Sequence, residues 1–168
     1  MNLPGARLAG LRIVTLALAL LLAGCARPAR TLAEDPAAPF WSGRLALQVK
    51  SEQPQSFSAS FELKGSPQRG ELALFSPLGS TVARLVWEPG RALLFADGKE
   101  RSFDSIEALS AEVTGTPLPL NALFDWLAGR AADVPGWEAD LSRVADGRLV
   151  ARRTTPPPPA ELRIAFEK

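Results

Sequence analysis

The sequence predicts a mainly β (α+β) fold, in which a curved antiparallel sheet forms a half-open barrel and two or three short helices cover its apolar concave side. From residue 40 onward, apolar and polar residues alternate through most of the chain, as they do in half-buried strands. Tight-turn sequences separate these strands, which favours hairpins over parallel crossovers. Helical spacing is confined to two segments in the middle of the chain. At 168 residues and 46% hydrophobic content, the chain has the size and composition of one globular domain.

The first 24 residues have the organisation of a secretory signal peptide. Arg7 and Arg12 form a basic start, and a mostly apolar run occupies residues 13–23. A membrane-spanning helix needs about 20 apolar residues, so this run is too short for a permanent anchor. We therefore expect a cleaved signal peptide, an acylated cysteine with a flexible linker, and a single domain, over residues 1–24, 25–39 and 40–168.

Cys25 is the only cysteine of the chain and the predicted attachment point for lipid. The residues before it, Leu22-Ala23-Gly24, resemble the lipobox of bacterial lipoproteins. In those proteins the signal is cut before the cysteine, which then receives a diacylglycerol on its thiol and an acyl chain on its new amino group. Several acyl chains anchor a protein stably, whereas one gives only marginal binding. The alternative is a buried or incidental cysteine in an uncleaved leader.

Nine strands are predicted after the linker, whose prolines and alanines show no apolar periodicity. The clearest strand alternates Phe57, Ala59 and Phe61 with serines, which gives it one polar face. Asp97-Gly98 and Asp146-Gly147 favour hairpin turns with positive φ. The predicted strands cover residues 44–50, 55–63, 70–75, 81–87, 91–96, 99–103, 137–144, 148–153 and 161–167.

Two helices are predicted between the sixth and seventh strands. The first follows the capping sequence Asp104-Ser105-Ile106-Glu107 and stops at Gly115. The second opens at Pro119 and stops at Gly129. Its apolar stripe consists of Leu120, Leu123, Phe124 and Leu127. Helices lying on the concave side of the sheet would close an apolar interior, either a ligand cavity or a fully packed core.

The composition argues against catalysis and against nucleic-acid binding. The chain contains no histidine and no tyrosine, and acylation would block its one thiol, so the usual proton shuttles and metal ligands are missing. No two carboxylates are paired at a spacing that suggests acid and base roles. A net charge of +1 without a run of like charges does not resemble a nucleic-acid binder. We expect no enzyme activity, no catalytic or metal-binding residue, and no cofactor besides the acyl chains on Cys25.

The turn sequence Ser76-Pro77-Leu78-Gly79 contains a leucine where polar residues are usual. Because proline and glycine flank Leu78, a turn is expected there and the side chain should project outward. An exposed leucine on a loop is suited to contact a membrane or a partner. The alternative is that Leu78 folds back over the core.

Three stretches of the chain are distinctive, and the most specific of them, VTGTPLPLNALFDWLAG at residues 113–129, resembles the LolB family of outer-membrane lipoprotein receptors. The others are WSGRLAL at residues 41–47 and SPLGST at residues 76–81. With the lipobox, the resemblance covers most of residues 22–130. After Gly136-Trp137 the chain is short and includes four consecutive prolines, and we cannot align a full set of closing strands. A more open barrel is therefore expected.

The resemblance implies a LolA/LolB-like half-barrel whose apolar cavity accepts the acyl chains of a lipoprotein from the periplasmic carrier LolA. The receptor then passes the lipoprotein into the inner leaflet of the outer membrane, without nucleotide. The implied partners are LolA, the acylated cargo and the outer-membrane bilayer, and the chain is expected to be a lipid-anchored monomer that faces the periplasm. Ala26 fits this location, because aspartate at that position is the familiar inner-membrane retention signal.

The resemblance also implies particular site residues. The loop leucine of the family maps on Leu78, between Pro77 and Gly79, and is implied to insert into the bilayer. For the cavity wall, strand alternation and the helical stripe favour seven residues, with packed core as the alternative for each. These residues are Phe57, Phe61, Leu74, Leu85, Trp87, Leu94 and Trp126.

Two other hypotheses compete with the receptor. An envelope lipoprotein of this fold could bind a hydrophobic ligand or scaffold a partner without transfer, and its soluble form would then take no acylated cargo from a carrier. An envelope hydrolase would need activity that depends on a carboxylate such as Asp125 or Glu107.

Overall fold

A computed structural model of the chain describes residues 38–114 and 118–167. In these ranges nine strands form one open antiparallel sheet, accompanied by two α-helices and a one-turn 3₁₀ helix at Val144–Asp146. The strands are β1 (Phe40–Val49), β2 (Gln55–Gly65), β3 (Gly70–Phe75), β4 (Thr81–Glu88), β5 (Arg91–Ala96), β6 (Lys99–Phe103), β7 (Trp137–Asp140), β8 (Arg148–Arg153) and β9 (Ala160–Glu167). The helices are α1 (Ile106–Thr114) and α2 (Leu120–Leu127). The mainly β fold with an antiparallel sheet is therefore confirmed.

The order of strands in the sheet is β6-β5-β4-β3-β2-β1-β9-β8-β7. The first six strands form a meander, as their short turns predict, and the last three join the sheet on the other side of β1. Strand β1 is therefore paired with β2 on one side and with β9 on the other. Leu47, for example, lies opposite Phe57 on β2 and opposite Leu162 on β9.

The two helices form where the capping signals predict them. The hydroxyl of Ser105 accepts a hydrogen bond from the backbone N–H of Ala108 at 3.1 Å, which satisfies a free donor of the first turn of α1. Helix α2 begins directly after Pro119, and Gly129 adopts a φ of +77° just beyond its last turn. Neither of these helices has the length and apolar composition that a membrane crossing requires, within the ranges that the structure describes.

The predicted strand over residues 137–144 is too long. Strand β7 ends at Asp140, whose carboxylate accepts hydrogen bonds from the backbone N–H of Ser142 at 3.0 Å and from its hydroxyl at 2.6 Å. These bonds form a local turn that competes with the ladder, and they hold the pKa of Asp140 below its ordinary value of 3.8. The 3₁₀ helix follows, and Gly147, at a φ of +70°, leads into β8.

The turn at Asp97-Gly98 is confirmed as a hairpin turn. Asp97 and Gly98 have φ values of +53° and +70°, and they connect β5 directly to β6. Asp146-Gly147 is different, because Asp146 ends the 3₁₀ helix and Gly147 alone has a positive φ.

The hydrophobic core lies between α1, α2 and one face of the sheet, which we call the inner face. Phe124 of α2 contacts Trp41 of β1 and Trp87 of β4 edge to face, with ring centroids 5.8 Å and 6.0 Å apart. Strand residues that alternate with these, such as Arg44 and Gln48 on β1, are exposed on the opposite, outer face. The alternation of the sequence thus separates a covered face from a solvated one.

Arg153 is buried at the end of β8, where the proline-rich connection to β9 begins. Its guanidinium donates a 2.7 Å hydrogen bond to the carbonyl of Pro158 and lies over the ring of Trp137. Burial lowers the pKa of this guanidinium. Arg153 therefore holds the proline-rich connection against the end of the sheet.

Candidate functional site

An apolar cavity of about 270 Å³ lies between the inner face of the sheet and α2. Most of its lining side chains are leucine, isoleucine or valine, and the polar side chains among them are Gln55, Ser56 and Ser110. In the part of the chain that the structure describes, no group of three or more histidine, cysteine, aspartate or glutamate residues could hold a metal ion. The cavity can therefore receive a hydrocarbon group but offers no charged ligand to a substrate.

The register of the central strands creates the wall of this cavity. Leu45 and Leu47 of β1 face inward and lie opposite Ile164 and Leu162 of β9. On the other side, Leu72 of β3 lies opposite Leu85 of β4. Because every second residue of each strand points to the same face, these branched side chains form one continuous apolar surface.

Helix α2 covers the cavity with its first half and is fixed to the core with its second half. Leu120 and Leu123 line the cavity together with the preceding segment, Leu118 and Pro119. One turn further on, Trp126 contacts the ring of Trp137 at a centroid distance of 6.5 Å and donates a hydrogen bond to the carbonyl of Ala132. The first half is anchored to α1, because Asn121 donates a 2.6 Å hydrogen bond to the carboxylate of Glu107 and the backbone N–H of Leu118 donates a 3.1 Å hydrogen bond to the hydroxyl of Ser110.

The cavity opens near the start of β2. Gln55, Ser56 and Phe57 all line it, yet all three are exposed, with Phe57 exposing 42% of its surface. Phe57 is the apolar side chain among these three, so an apolar group that enters the cavity here would meet Phe57 first.

Three of the seven residues predicted for the cavity wall line this cavity, namely Phe57, Leu74 and Leu85. The other four are buried in the hydrophobic core and do not contribute to its lining: Phe61, Trp87, Leu94 and Trp126. The binding of an acyl chain by any of the seven stays a prediction.

Sequence reasoning missed the contribution of β1 and β9 to the wall. Leu45, Leu47 and Val49, like Leu162 and Ile164, line the cavity. Their alternation with polar residues predicts the two strands and would have placed these side chains on one face. The alternation does not predict that the first and last strands are neighbours in the sheet.

The loop between β3 and β4 carries Leu78 outward. The backbone N–H of Gly79 donates a 2.9 Å hydrogen bond to the carbonyl of Ser76, which closes a β-turn with Pro77 and Leu78 at its centre. Leu78 exposes 93% of its surface and does not fold back over the core. Its insertion into a bilayer stays a prediction. Cys25, the predicted lipid attachment point, lies outside the described residues.

Comparison with known proteins finds the same family over the whole described domain. The family model "Outer membrane lipoprotein LolB" matches residues 40–166. The outer-membrane lipoprotein LolB of Chromobacterium violaceum is 42% identical over 144 residues, which span 82% of this chain and 76% of the relative. The LolB protein of Bordetella petrii is 36% identical over 177 residues, covering 90% of this chain and 89% of the relative.

A more distant relative matches over a similar share of the chain. The outer-membrane lipoprotein LolB of Yersinia pseudotuberculosis is 29% identical over 182 residues, which cover 91% of this chain and 87% of the relative. The matches thus extend over the C-terminal strands as well as over the three stretches that carry the resemblance. This chain belongs to the LolB family of outer-membrane lipoproteins.

Proposed function

We propose that this protein is an outer-membrane lipoprotein receptor, which accepts lipoproteins from the periplasmic carrier LolA and inserts them into the inner leaflet of the outer membrane. The observation that carries the proposal is the apolar cavity under α2, in a chain of the LolB family. An acyl chain is the natural occupant of a cavity lined by leucine, isoleucine and valine side chains. The role requires no catalytic residue and no cofactor.

The transfer follows a difference in affinity between apolar sites. Each methylene group removed from water contributes about 0.8 kcal/mol, so releasing an acyl chain into the periplasm would be strongly unfavourable. The chain must pass directly from one apolar cavity to another and then to the bilayer. The exposed opening beside Phe57 is the place where such a handover can begin.

The cavity must widen when cargo enters. Its volume of about 270 Å³ is below the range of about 300–1,000 Å³ that is usual for ligand pockets. Aromatic contacts of Phe124 and Trp126 hold the second half of α2. A shift of the first half must therefore break or carry along its hydrogen bonds to Glu107 and Ser110 of α1. In this proposal the open nine-stranded sheet curves around the cavity as a half-open barrel.

The remaining features of the proposal concern the attachment to the membrane. Residues 1–24 are the cleaved signal peptide, Cys25 carries the acyl chains, and the linker up to residue 39 tethers the domain of residues 40–168. The monomer faces the periplasm, and Leu78 enters the bilayer to help deliver the cargo. The 93% exposure of Leu78 supports this role, because a side chain that does not pack in the core is available for apolar contact outside the protein.

A transfer assay with purified carrier and acylated cargo tests the function directly. The protein should remove a fluorescent acylated cargo from LolA and then deposit it in liposomes. A lipoprotein that only holds a hydrophobic ligand, or only scaffolds a partner, would leave the cargo on the carrier. Cargo that stays on LolA at excess receptor would therefore refute the proposal and favour that alternative.

A further inference from the structure

A second cavity lies on the outer face of the sheet, beside the loop that carries Leu78. It is a groove of about 550 Å³, lined by side chains of β1, β2, β8 and β9 and by Pro77 of the loop. Pro77 directly precedes Leu78, so the groove and the exposed leucine belong to one surface. The acyl-chain cavity lies on the other face of the sheet and does not explain this groove.

Three arginines and no carboxylate line the groove. Arg44 of β1 lies opposite Ala165 of β9, and Ala165 in turn lies opposite Arg148 of β8. Arg44 and Arg148 therefore belong to one row of paired residues that runs across the sheet, with one strand between them. Their backbones are about 10 Å apart. Arg163 stands in the neighbouring row. Ala165 lies between Arg44 and Arg148, and Ala46, Ser58 and Ser60 add further small side chains on β1 and β2.

Two of the three arginines are free to bind an anion. Arg163 is paired with Glu161, which also accepts a 2.7 Å hydrogen bond from Arg152. Arg44 and Arg148 are exposed, and neither forms an ion pair with another residue in the described ranges. The hydroxyl groups of Ser58 and Ser60, on β2 beside Arg44, are further donors that line the same groove.

Glu161 lies on the loop side of this groove, opposite Gln48, where both Arg152 and Arg163 pair with it, and the other neighbouring acidic residues lie on the side away from the loop. Glu62 of β2 and Glu167 of β9 both stand opposite Ser42, one row further from the loop than Arg44. The loop begins after Phe75, which pairs with β2 in the row of Arg44. The basic part of the outer face is therefore the part next to Leu78.

We propose that this groove binds the phosphate group of an anionic phospholipid in the leaflet that Leu78 enters, an inference that rests on the proposed insertion of Leu78. Guanidinium groups bind phosphate oxygens through paired N–H donors. The headgroup layer directly borders the hydrocarbon core, so a leucine in the hydrocarbon brings its neighbouring residues to the depth of the phosphates. The inserted leucine supplies apolar contact, and Arg44 and Arg148 supply the polar contact beside it.

The first test measures the reactivity of single arginines in the full acylated protein. The protein is placed in phosphatidylcholine vesicles with or without phosphatidylglycerol and treated with an arginine-specific dicarbonyl reagent, and each site is quantified by mass spectrometry. Phosphatidylglycerol should slow modification at Arg44 and Arg148 about fivefold, the effect of one basic side chain near an anionic surface. Arg91 is the control, since it is exposed in β5 outside the groove.

Each outcome of this test decides the proposal. Unchanged modification of Arg44 and Arg148, or equal slowing at Arg91, would overturn it. The same slowing in detergent with inorganic phosphate alone would identify a free-anion site and overturn the assignment to lipid. Because the measurement uses neither carrier nor cargo, it gives its answer even if the transfer assay fails.

A second test uses delivery of cargo. The double variant R44Q/R148Q should take cargo from the carrier normally but deliver it more slowly to vesicles that contain phosphatidylglycerol, and R91Q should deliver at the unaltered rate. The defect should disappear in vesicles of phosphatidylcholine alone. A double variant that melts at the usual temperature and delivers at the usual rate to anionic vesicles would refute the proposal. If the double variant does not fold, the modification test on the unaltered protein decides.

Discussion

At the residue scale, Leu78 stands apart from the other apolar side chains. Among the large hydrophobic residues that the structure describes, it is the most exposed, followed by Phe40 at 46%. Such a side chain has no core contacts to lose, so its replacement should not change the stability of the domain. Any loss of function on replacement then reports on what Leu78 contacts outside the protein.

We expect L78E to take up cargo from the carrier but to deliver it poorly to liposomes, because a carboxylate is strongly disfavoured in hydrocarbon. The melting temperature should not change. Delivery is measured as transfer of fluorescent cargo to liposomes separated by flotation.

Two further variants test this interpretation of Leu78. L78M keeps an apolar side chain of similar size and should keep delivery, and F40E changes an exposed apolar residue at the start of β1 and should have no effect on delivery. Normal delivery by L78E would remove Leu78 from the mechanism.

Gly136 lies where the fold leaves no room for a side chain. It has a φ of +79°, and a Cβ atom there would lie 1.7 Å from the carbonyl oxygen of Thr155. Gly90 has nearly the same φ, +76°, but nothing within 4 Å of its Cβ position. Substitutions at these two glycines therefore separate the cost of backbone strain from the cost of steric overlap.

G136A should lower the free energy of unfolding by about 3 kcal/mol, because strain and overpacking act together. G90A should lower it by about 1 kcal/mol, the cost of a left-handed conformation for a residue with a Cβ atom. Denaturant unfolding measures both. Equal effects of the two substitutions would show that the turn before β7 relaxes away from Thr155.

At the element scale, the helices and hairpins could be predicted because their signals are local. Ser105, Pro119 and Gly129 mark the ends of α1 and α2, and Asp97-Gly98 specifies its turn within two residues. The end of β7 could not be predicted from alternation, because a side chain of the strand itself, that of Asp140, bonds to the backbone just beyond it. The pairing of β9 with β1 joins segments at opposite ends of the domain, and no short-range pattern records it.

The pairing of β8 with β9 contains an ionic cluster whose effect depends on pH. Hydrogen bonds from Arg152, and also from Arg163, hold the pKa of the Glu161 carboxyl below its ordinary value of 4.5. The folded state thus favours ionised Glu161 more than the unfolded state does. The resulting stabilisation is present above pH 4.5 and is lost as the pH falls through the lowered pKa.

E161Q should therefore melt a few degrees below the unaltered protein at pH 7, and the difference should shrink as the pH falls below 4.5. E100Q is the control, since Glu100 on the distant edge strand β6 is exposed and forms no ion pair in the described ranges. Melting curves across this pH range check both variants. A difference that stays constant down to low pH would show that Glu161 acts through packing and not through its charge.

At the scale of the whole molecule, the cavity depends on how the sheet and α2 fit together. Alternation predicts that Phe61, Leu74 and Leu94 all face inward, and all three are buried. Of these three, Leu74 alone lines the cavity. The position of α2 decides which inward-facing side chains are covered by packing and which border the open space. The sequence therefore predicts the inner face well and the cavity within it only in part.

Filling the cavity should separate binding from stability. L74W places a larger side chain where there is space, so cargo uptake should fall with little change in the melting temperature. L94W places the same side chain in closed core and should cost about 1–3 kcal/mol of stability, while the fraction that folds keeps its uptake. Uptake from the carrier and thermal unfolding are measured on both variants. Normal uptake by a folded L74W would place the acyl chain elsewhere.

The pairing of the first strand with the last also determines when the domain can fold. Strand β1 sits in the interior of the sheet, and one of its two edges stays unpaired until residues 160–167 are present. Contacts between such distant segments form late and slowly, because the long intervening chain must first be brought together. The sheet can therefore be completed only after the last strand, β9, has been synthesised.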